Sequence, residues 1–230
     1  MAIDQKPLIS FCTTLLSRRD DPIHDFRVRH CHDFIHNFSK LHGNHRAELV
    51  IALWPCDDMD LEGWMEAVSL FAQDYKDVNR FTLRTTPMTG HFNVNAGHNA
   101  SFAEAKASIL FFCDTDILLP ADAIDVLLDK VKRGQCYFPI WQSETEDKSK
   151  IIWRIHSFGN AAFHRKDFKQ VGKLSEKQAV SWGGDIDIFK KAQKTPGLKV
   201  IRENWEGLWH RWHPKPDRNF YNAVDDKTKY

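Results

Sequence analysis

The sequence predicts an α/β fold with a mostly parallel central sheet flanked by helices, and three observations carry that expectation. Short apolar runs alternate with segments whose apolar residues recur at steps of three and four over the first two-thirds of the chain. Ser108–Cys113 is continuously apolar, as a central strand covered on both faces requires. The 230 residues, 42% hydrophobic and 12% aromatic, suffice for one large domain with a full core. Alternating β and α segments favour right-handed crossovers, and such sheets bind ligands beyond the carboxyl ends of their strands.

The elements follow in order. Leu8–Thr13 reads as a short buried strand, and Asp21-Pro22 as the cap and first-turn proline of a helix. Ile23, Phe26, His30, Phe34, Phe38 and Leu41 form one face of that helix, which Gly43 and Asn44 stop. Leu49–Trp54 is the second strand. Asp60 caps a second helix with Leu61, Trp64, Val68, Phe71 and Tyr75 inside. A third strand is expected over Arg80–Thr85, a third helix over Asn95–Lys106 and the central strand over Ser108–Cys113. Ile124, Leu127, Leu128 and Val131 then mark a helix ending near Gly134.

Beyond Cys136 the rhythm changes. Tyr137–Trp141 is expected as one strand, Ser143–Lys150 as a charged loop or hairpin tip, Ile151–His164 as two short strands and Asp185–Lys194 as a helix. Trp205, Trp209 and Trp212 lie among polar residues in the tail. They either line a groove or latch the C-terminus onto the sheet, and the sequence leaves both open. No domain boundary is visible, so residues 1–230 read as one domain, with a nucleotide-binding half (1–134) and an acceptor-side half (135–230).

Thirty-two Lys and Arg against thirty-one Asp and Glu leave a formal charge of +1, which argues against a general nucleic-acid binder. No apolar stretch approaches the ~20 residues that span a bilayer, and the first residues lack the apolar core of a signal peptide. A cytoplasmic protein is therefore expected. Five widely spaced cysteines without a Cys-x-x-Cys pair make a disulfide framework unexpected, and Cys12, Cys113 and Cys136 read as buried thiols.

Three segments could carry chemistry. Asp114-Thr115-Asp116 follows the central strand directly. Two carboxylates so close repel each other, and a hard divalent cation such as Mg²⁺ or Mn²⁺ removes that cost through oxygen ligands. In Trp182-Gly183-Gly184-Asp185-Ile186-Asp187, the glycines let backbone approach a ligand, Asp185 opens a helix, and Trp182 offers a flat face to a sugar ring. In His210-Arg211-Trp212-His213, two imidazoles could join the Asp pair in completing a metal shell, with diphosphate oxygens and water.

These residues resemble the nucleotide-sugar-dependent glycosyltransferases of the A-type (GT-A) fold, over most of the chain. Phe92–Asn99, followed at a helix length by Ala107–Asp116, resembles the donor-binding half of family 2 and its relatives. Phe158–Phe168 with Val171-Gly172 is similar to the stretch before the acceptor motif. Trp182–Asp187 is similar to the Trp-Gly-x-Glu-Asp-x-Asp motif of galactosyl- and N-acetylgalactosaminyltransferases. There are two departures. His98 stands where the family has a basic residue before Asn99. Gly184 stands at the Glu position, leaving Asp185 as the matching Asp; another register would put Ile186 there.

The resemblance implies a single Rossmann-like domain that moves a sugar (galactose, N-acetylgalactosamine or N-acetylglucosamine) from a UDP-sugar to a hydroxyl of a glycan or glycoconjugate. Mn²⁺ or Mg²⁺ would sit on Asp114, Asp116, His213 and His210, and Asp185 would act as general base with inversion at the anomeric carbon. Thr13 or Thr14, Asp57 or Asp58, and Arg18 or Arg19 would contact the nucleotide with His98 and Asn99. Trp182, Gly183, Gly184 and Asp187 would contact the substrate. A lipid-linked acceptor would add peripheral membrane contact. Rival readings are a non-catalytic nucleotide- or sugar-binding protein of the same fold, a retaining transferase, and a zinc protein using His32 and His36. A nucleotidyltransferase lacks support, because no glycine-rich basic loop follows strand one.

Overall fold

A computed structural model describes residues 7–15, 24–41, 45–54, 81–90, 92–176 and 184–214. The helix expected from Asp60 to Tyr75, the Asp21-Pro22 cap, the Gly43-Asn44 stop and the last residues of the tail lie outside them.

Eleven described strands form two sheets. The larger contains β1 (Ile9–Leu15), β2 (Ala47–Leu53), β3 (Phe81–Pro87), β4 (Ile109–Phe112), β6 (Gln135–Tyr137), β9 (Ala161–His164) and β10 (Lys199–Ile201), in the order β10-β6-β9-β4-β1-β2-β3. Its pairings are parallel except for those of β9, which runs antiparallel between β4 and β6. The smaller contains β5 (Ile117–Leu118), β7 (Ile140–Glu144), β8 (Ile151–Trp153) and β11 (Asn204–His210), in the order β5-β11-β7-β8. The described helices are α1 (His24–Ser39), α2 (Val94–Glu104), α3 (Ala123–Lys130), α4 (Arg165–Val171) and α5 (Gly184–Lys194). Among the described residues no helix is long and apolar enough to cross a membrane.

Every residue of β1, β2 and β4 is buried, because both faces of the central sheet are covered. Alternation along each strand divides the core. Phe11 and Phe111 point to one side, where Phe38 of α1 meets Phe11 edge-on at 5.2 Å. Cys12, Leu110 and Phe112 point to the other, against Phe102, Phe163 and Phe168. The four described cysteines are buried and unpaired, as the sequence suggests.

Helix α2 lies unusually close to the sheet. A Cβ on Gly97 would stand 2.4 Å from Thr14 Cγ2 and 2.8 Å from the Trp54 ring, so only glycine permits this approach. The helix opens on Asn93, whose Oδ1 accepts from the Ala96 amide at 3.0 Å.

Three local expectations are corrected. Tyr137–Trp141 is not one strand: Pro139 separates β6 in the large sheet from β7 in the small one. Ser143 and Glu144 belong to β7 and not to the charged loop, while the hairpin-tip reading holds for residues 145–150, which join β7 to its antiparallel partner β8. The polar tail contains β11, hidden from a period-two reading because its register shifts between Asn204 and Trp209 around Gly207 at φ +82°. That shift buries Trp205 and Leu208, three residues apart. Trp205 packs on Phe111 at 5.9 Å and Tyr137 at 5.6 Å, so this tryptophan latches the tail onto the core.

Candidate active site

The site forms where the central strand ends and the small sheet begins. After β4 the Cys113 amide still donates to Cys12 O, and a tight turn closed from Ile117 N to Asp114 O at 3.3 Å carries Asp114 and Asp116. Strand β5 follows at once and pairs antiparallel with β11, with Ile117 opposite His210. The Arg211 amide donates to Asp116 O at 2.9 Å, extending this ladder by one rung. Main-chain pairing thus brings the histidine segment beside the aspartate turn. Asn37 of α1 holds β5 from below, donating to Leu119 O at 2.9 Å and accepting from Leu119 N at 2.7 Å.

Asp116 Oδ2 lies 3.2 Å from His213 Nε2 and 3.5 Å from His210 Nε2. The three side chains present ligand atoms within 4.8 Å of one another, the one such cluster among the described residues. Ligands at right angles around an ion with ~2.1 Å bonds stand roughly 3 Å apart, so the spacing suits a divalent cation. Two further observations support the fit. Asp116 Oδ1 is buried without a hydrogen-bond partner among the described residues. His213 Nδ1 faces Pro214 O at 2.8 Å, and a carbonyl can only accept, so Nδ1 carries the proton and Nε2 is left to bind. Imidazole and carboxylate donors accommodate Mn²⁺, and equally other divalent transition metals.

The electrostatics divide the aspartate pair. Burial alone would raise the Asp116 carboxyl, but His210 and His213 in their protonated form, donating from Nε2, outweigh it and hold the group well below the usual carboxylate range; a bound cation would take the place of those protons. Asp114 is raised by burial first, then by the neighbouring Asp116 and by Asp185, against the opposing pull of the two histidines. A bound dication would reverse that rise. A Cβ on Gly159 would stand 3.8 Å from Asp114 Oδ2, and the Phe158 amide donates to Asp185 Oδ2 at 3.3 Å. The Phe158-Gly159 segment therefore lies between the two carboxylates, on one wall of the site.

The histidine turn is braced from three sides. Arg211 pairs with Asp33 of α1, the Trp212 amide donates to Glu144 Oε1 at 3.0 Å, and the rings of His210 and His213 stand 5.5 Å apart. His30 of α1 meets His213 edge-on at 6.1 Å. Burial, then Arg211, pushes the His30 imidazole down to about 4.

The other residues singled out in the sequence fall in several places. Thr13 lies within β1, not after it, and is buried with Oγ1 lacking a partner among the described residues. His98 is buried on α2 against Phe112 at 5.5 Å, and burial pushes it down to about 4, so it is neutral at physiological pH. The Asn99 amide donates to Leu174 O at 2.9 Å and Glu176 Oε1 at 2.6 Å and accepts from Leu174 N, clipping the 174–176 segment onto α2. Asp187 pairs with Lys191 one turn on, at 2.7 Å. Gly184 begins α5, with Asp185 in its first turn. Arg18, Arg19, Asp57, Asp58, Trp182 and Gly183 lie outside the described residues, as does the His32 side chain on which the zinc reading depended.

Sequence reasoning missed Ser143, Glu144, Asp33 and Asn37, and it placed Phe158-Gly159 only in the stretch before the acceptor motif, not between the two carboxylates. Their roles arise from strand and helix neighbours distant in the chain, and no local spacing announces them.

An α/β sheet with one antiparallel strand, a carboxylate turn at the end of its central strand and a small sheet beside it define the GT-A architecture of nucleotide-sugar glycosyltransferases. One solved structure of similar fold is a mannosyltransferase from Pyrobaculum calidifontis in complex with GDP-Man and Mn²⁺ (TM-score 0.58, 16% identity, covering 96% of this chain and 60% of that one). Another is glucosyl-3-phosphoglycerate synthase from Mycobacterium tuberculosis in complex with Mn²⁺, UDP-Glc and glycerol 3-phosphate (TM-score 0.54, 11% identity, covering 96% and 76%). The chain belongs to the chondroitin N-acetylgalactosaminyltransferase (CHGN) family, whose model matches residues 22–220. It is 26% identical over 227 residues to mouse chondroitin sulfate N-acetylgalactosaminyltransferase 1, covering 87% of this chain and 40% of that relative. The chain thus spans less than half the length of that protein.

Proposed function

We propose that the chain is a metal-dependent glycosyltransferase that moves N-acetylgalactosamine from UDP-N-acetylgalactosamine to a hydroxyl of a glycan acceptor. The convergence of Asp116, His210 and His213 at the end of β4 carries this reading. Family membership favours N-acetylgalactosamine over galactose and N-acetylglucosamine.

Asp116, His210 and His213 would hold Mn²⁺, with Asp114 supporting the ribose or the metal's waters. When bound, the ion supplies Lewis-acid neutralisation of the charge that develops on the departing diphosphate. The residues of the chain do the rest. The β5–β11 ladder fixes the distance between aspartate and imidazoles before substrate arrives, so no reorganisation accompanies the reaction. Asp185, whose Oδ2 is oriented by the Phe158 amide, accepts the proton of the acceptor hydroxyl as that oxygen attacks the anomeric carbon. A base on the acceptor side implies an inverted anomer in the product.

UDP release from UDP-N-acetylgalactosamine, UDP-galactose and UDP-N-acetylglucosamine, each with a glycan acceptor and Mn²⁺, tests the reading. Release fastest from the first donor and abolished by EDTA supports it. Release that survives EDTA and Asp116→Ala rejects the metal. NMR of the product anomer decides stereochemistry, and retention would remove Asp185 from the role of base.

A further inference from the structure

Beneath the histidine turn lies a side chain that neither the mechanism nor the motifs account for. Ser143 of β7 is 1% exposed, and it lies opposite His210 in the parallel β7–β11 ladder. Its Oγ stands 3.4 Å from His210 Nδ1 and 3.3 Å from Arg154 Nη2, and donates to Glu144 O at 3.3 Å.

A hydroxyl has one proton and two lone pairs. The Glu144 carbonyl can only accept, so it takes the proton. The Arg154 guanidinium can only donate, so it occupies one lone pair. What remains for His210 is the second lone pair, which can be met only by an Nδ1–H. We infer that Ser143 is a positioning residue: with Arg154 it keeps a proton on His210 Nδ1, so that Nε2, which faces Asp116, is the nitrogen that donates to that carboxylate when protonated and is open to a metal once its proton is displaced. His213 reaches the same state through Pro214 O, so both imidazoles offer Nε2 to one point. The arrangement deepens the metal reading above and rests on it for its purpose, but the tautomer itself is a property of the metal-free chain. A hydrogen-bond partner behind a metal-binding imidazole fixes the orientation of the ring and raises its basicity as a ligand.

The test uses the full chain with ¹⁵N-labelled histidine, metal-free at about pH 8, where an ordinary imidazole is neutral. Two-bond ¹H–¹⁵N correlations should show His210 protonated at Nδ1 in the wild type and a mixture of tautomers in Ser143→Ala. Mn²⁺ titration followed by EPR should show an affinity about 10–100-fold weaker in Ser143→Ala, with recovery in Ser143→Thr. A wild-type His210 protonated at Nε2 alone, or a Ser143→Ala spectrum with the wild-type tautomer, overturns the inference. A wild-type chain that fails to bind Mn²⁺ rejects the metal reading instead, and the spectra still decide the role of Ser143.

Discussion

His213 Nε2 lies 3.2 Å from Asp116 Oδ2, although one residue follows the last strand of the small sheet and the other follows the central strand of the large one. The β5–β11 ladder sets this distance, so the pair is held by backbone and not by the flexibility of its side chains. Replacing Asp116 by Asn keeps the shape and removes the charge. Mn²⁺ binding should be lost in Asp116→Asn and in His213→Ala, and kcat should fall by at least about 10²-fold, the cost of losing one preorganised charge-stabilising group. Isothermal titration with Mn²⁺ and a UDP-release assay check both.

Asp185→Asn tests the base. The substitution preserves the acceptor for the Phe158 amide and removes the capacity to take a proton, so kcat should fall about 10²–10⁴-fold. UDP affinity should stay near the wild-type value, because a base acts on the acceptor hydroxyl and not on the nucleotide. An unchanged kcat would exclude Asp185 as the base.

Gly97→Ala probes the packing of α2. The new methyl would meet Thr14 Cγ2 at 2.4 Å and the Trp54 ring at 2.8 and 2.9 Å, and two of these atoms belong to a rigid indole. Overpacking of this kind costs about 1–3 kcal/mol, measurable as a lower urea midpoint. Adding Thr14→Ser removes the closest atom and should recover part of the loss.

Stability should fall on mild acidification. His98 titrates at about 4 in the folded chain, because burial disfavours its charge, against 6.5 for an unperturbed imidazole. Below pH 6.5 the unfolded chain gains a proton that the native chain refuses, so stability drops as pH falls toward about 4 and levels off beneath it. At about 1.4 kcal/mol per unit, this one group accounts for roughly 3 kcal/mol. His30, pushed down to about 4 by burial and Arg211, acts in the same direction. Urea unfolding across this range should show the slope, and His98→Gln should reduce it by one proton.

Much of this was legible in the chain. The apolar runs at Leu49–Trp54 and Ile109–Cys113 are continuous because both faces of their strands are covered, and that pattern survives in one dimension. The carboxylate turn was equally visible, since it directly follows the last apolar residue of the central strand. Strand β11 was not, because the register shift around Gly207 breaks the alternation on which a strand is recognised. The surroundings of His98 and Asn99 were not legible from their motif: one packs against Phe112 in the core, and the other clips a distant segment.

The amino-acid order by itself determined the layered α/β sheet, the position of Asp114 and Asp116 at the end of its central strand and the presence of two histidines three residues apart. These are local facts, set by residue type and spacing. Only the tertiary structure decided that Asp116, His210 and His213 meet, that Asp185 shares the wall of Asp114, and that Ser143 and Arg154 stand behind the imidazole. Those contacts join segments from both sheets through pairings with no sequence period, and their geometry exists only once the small sheet has docked against the end of the large one.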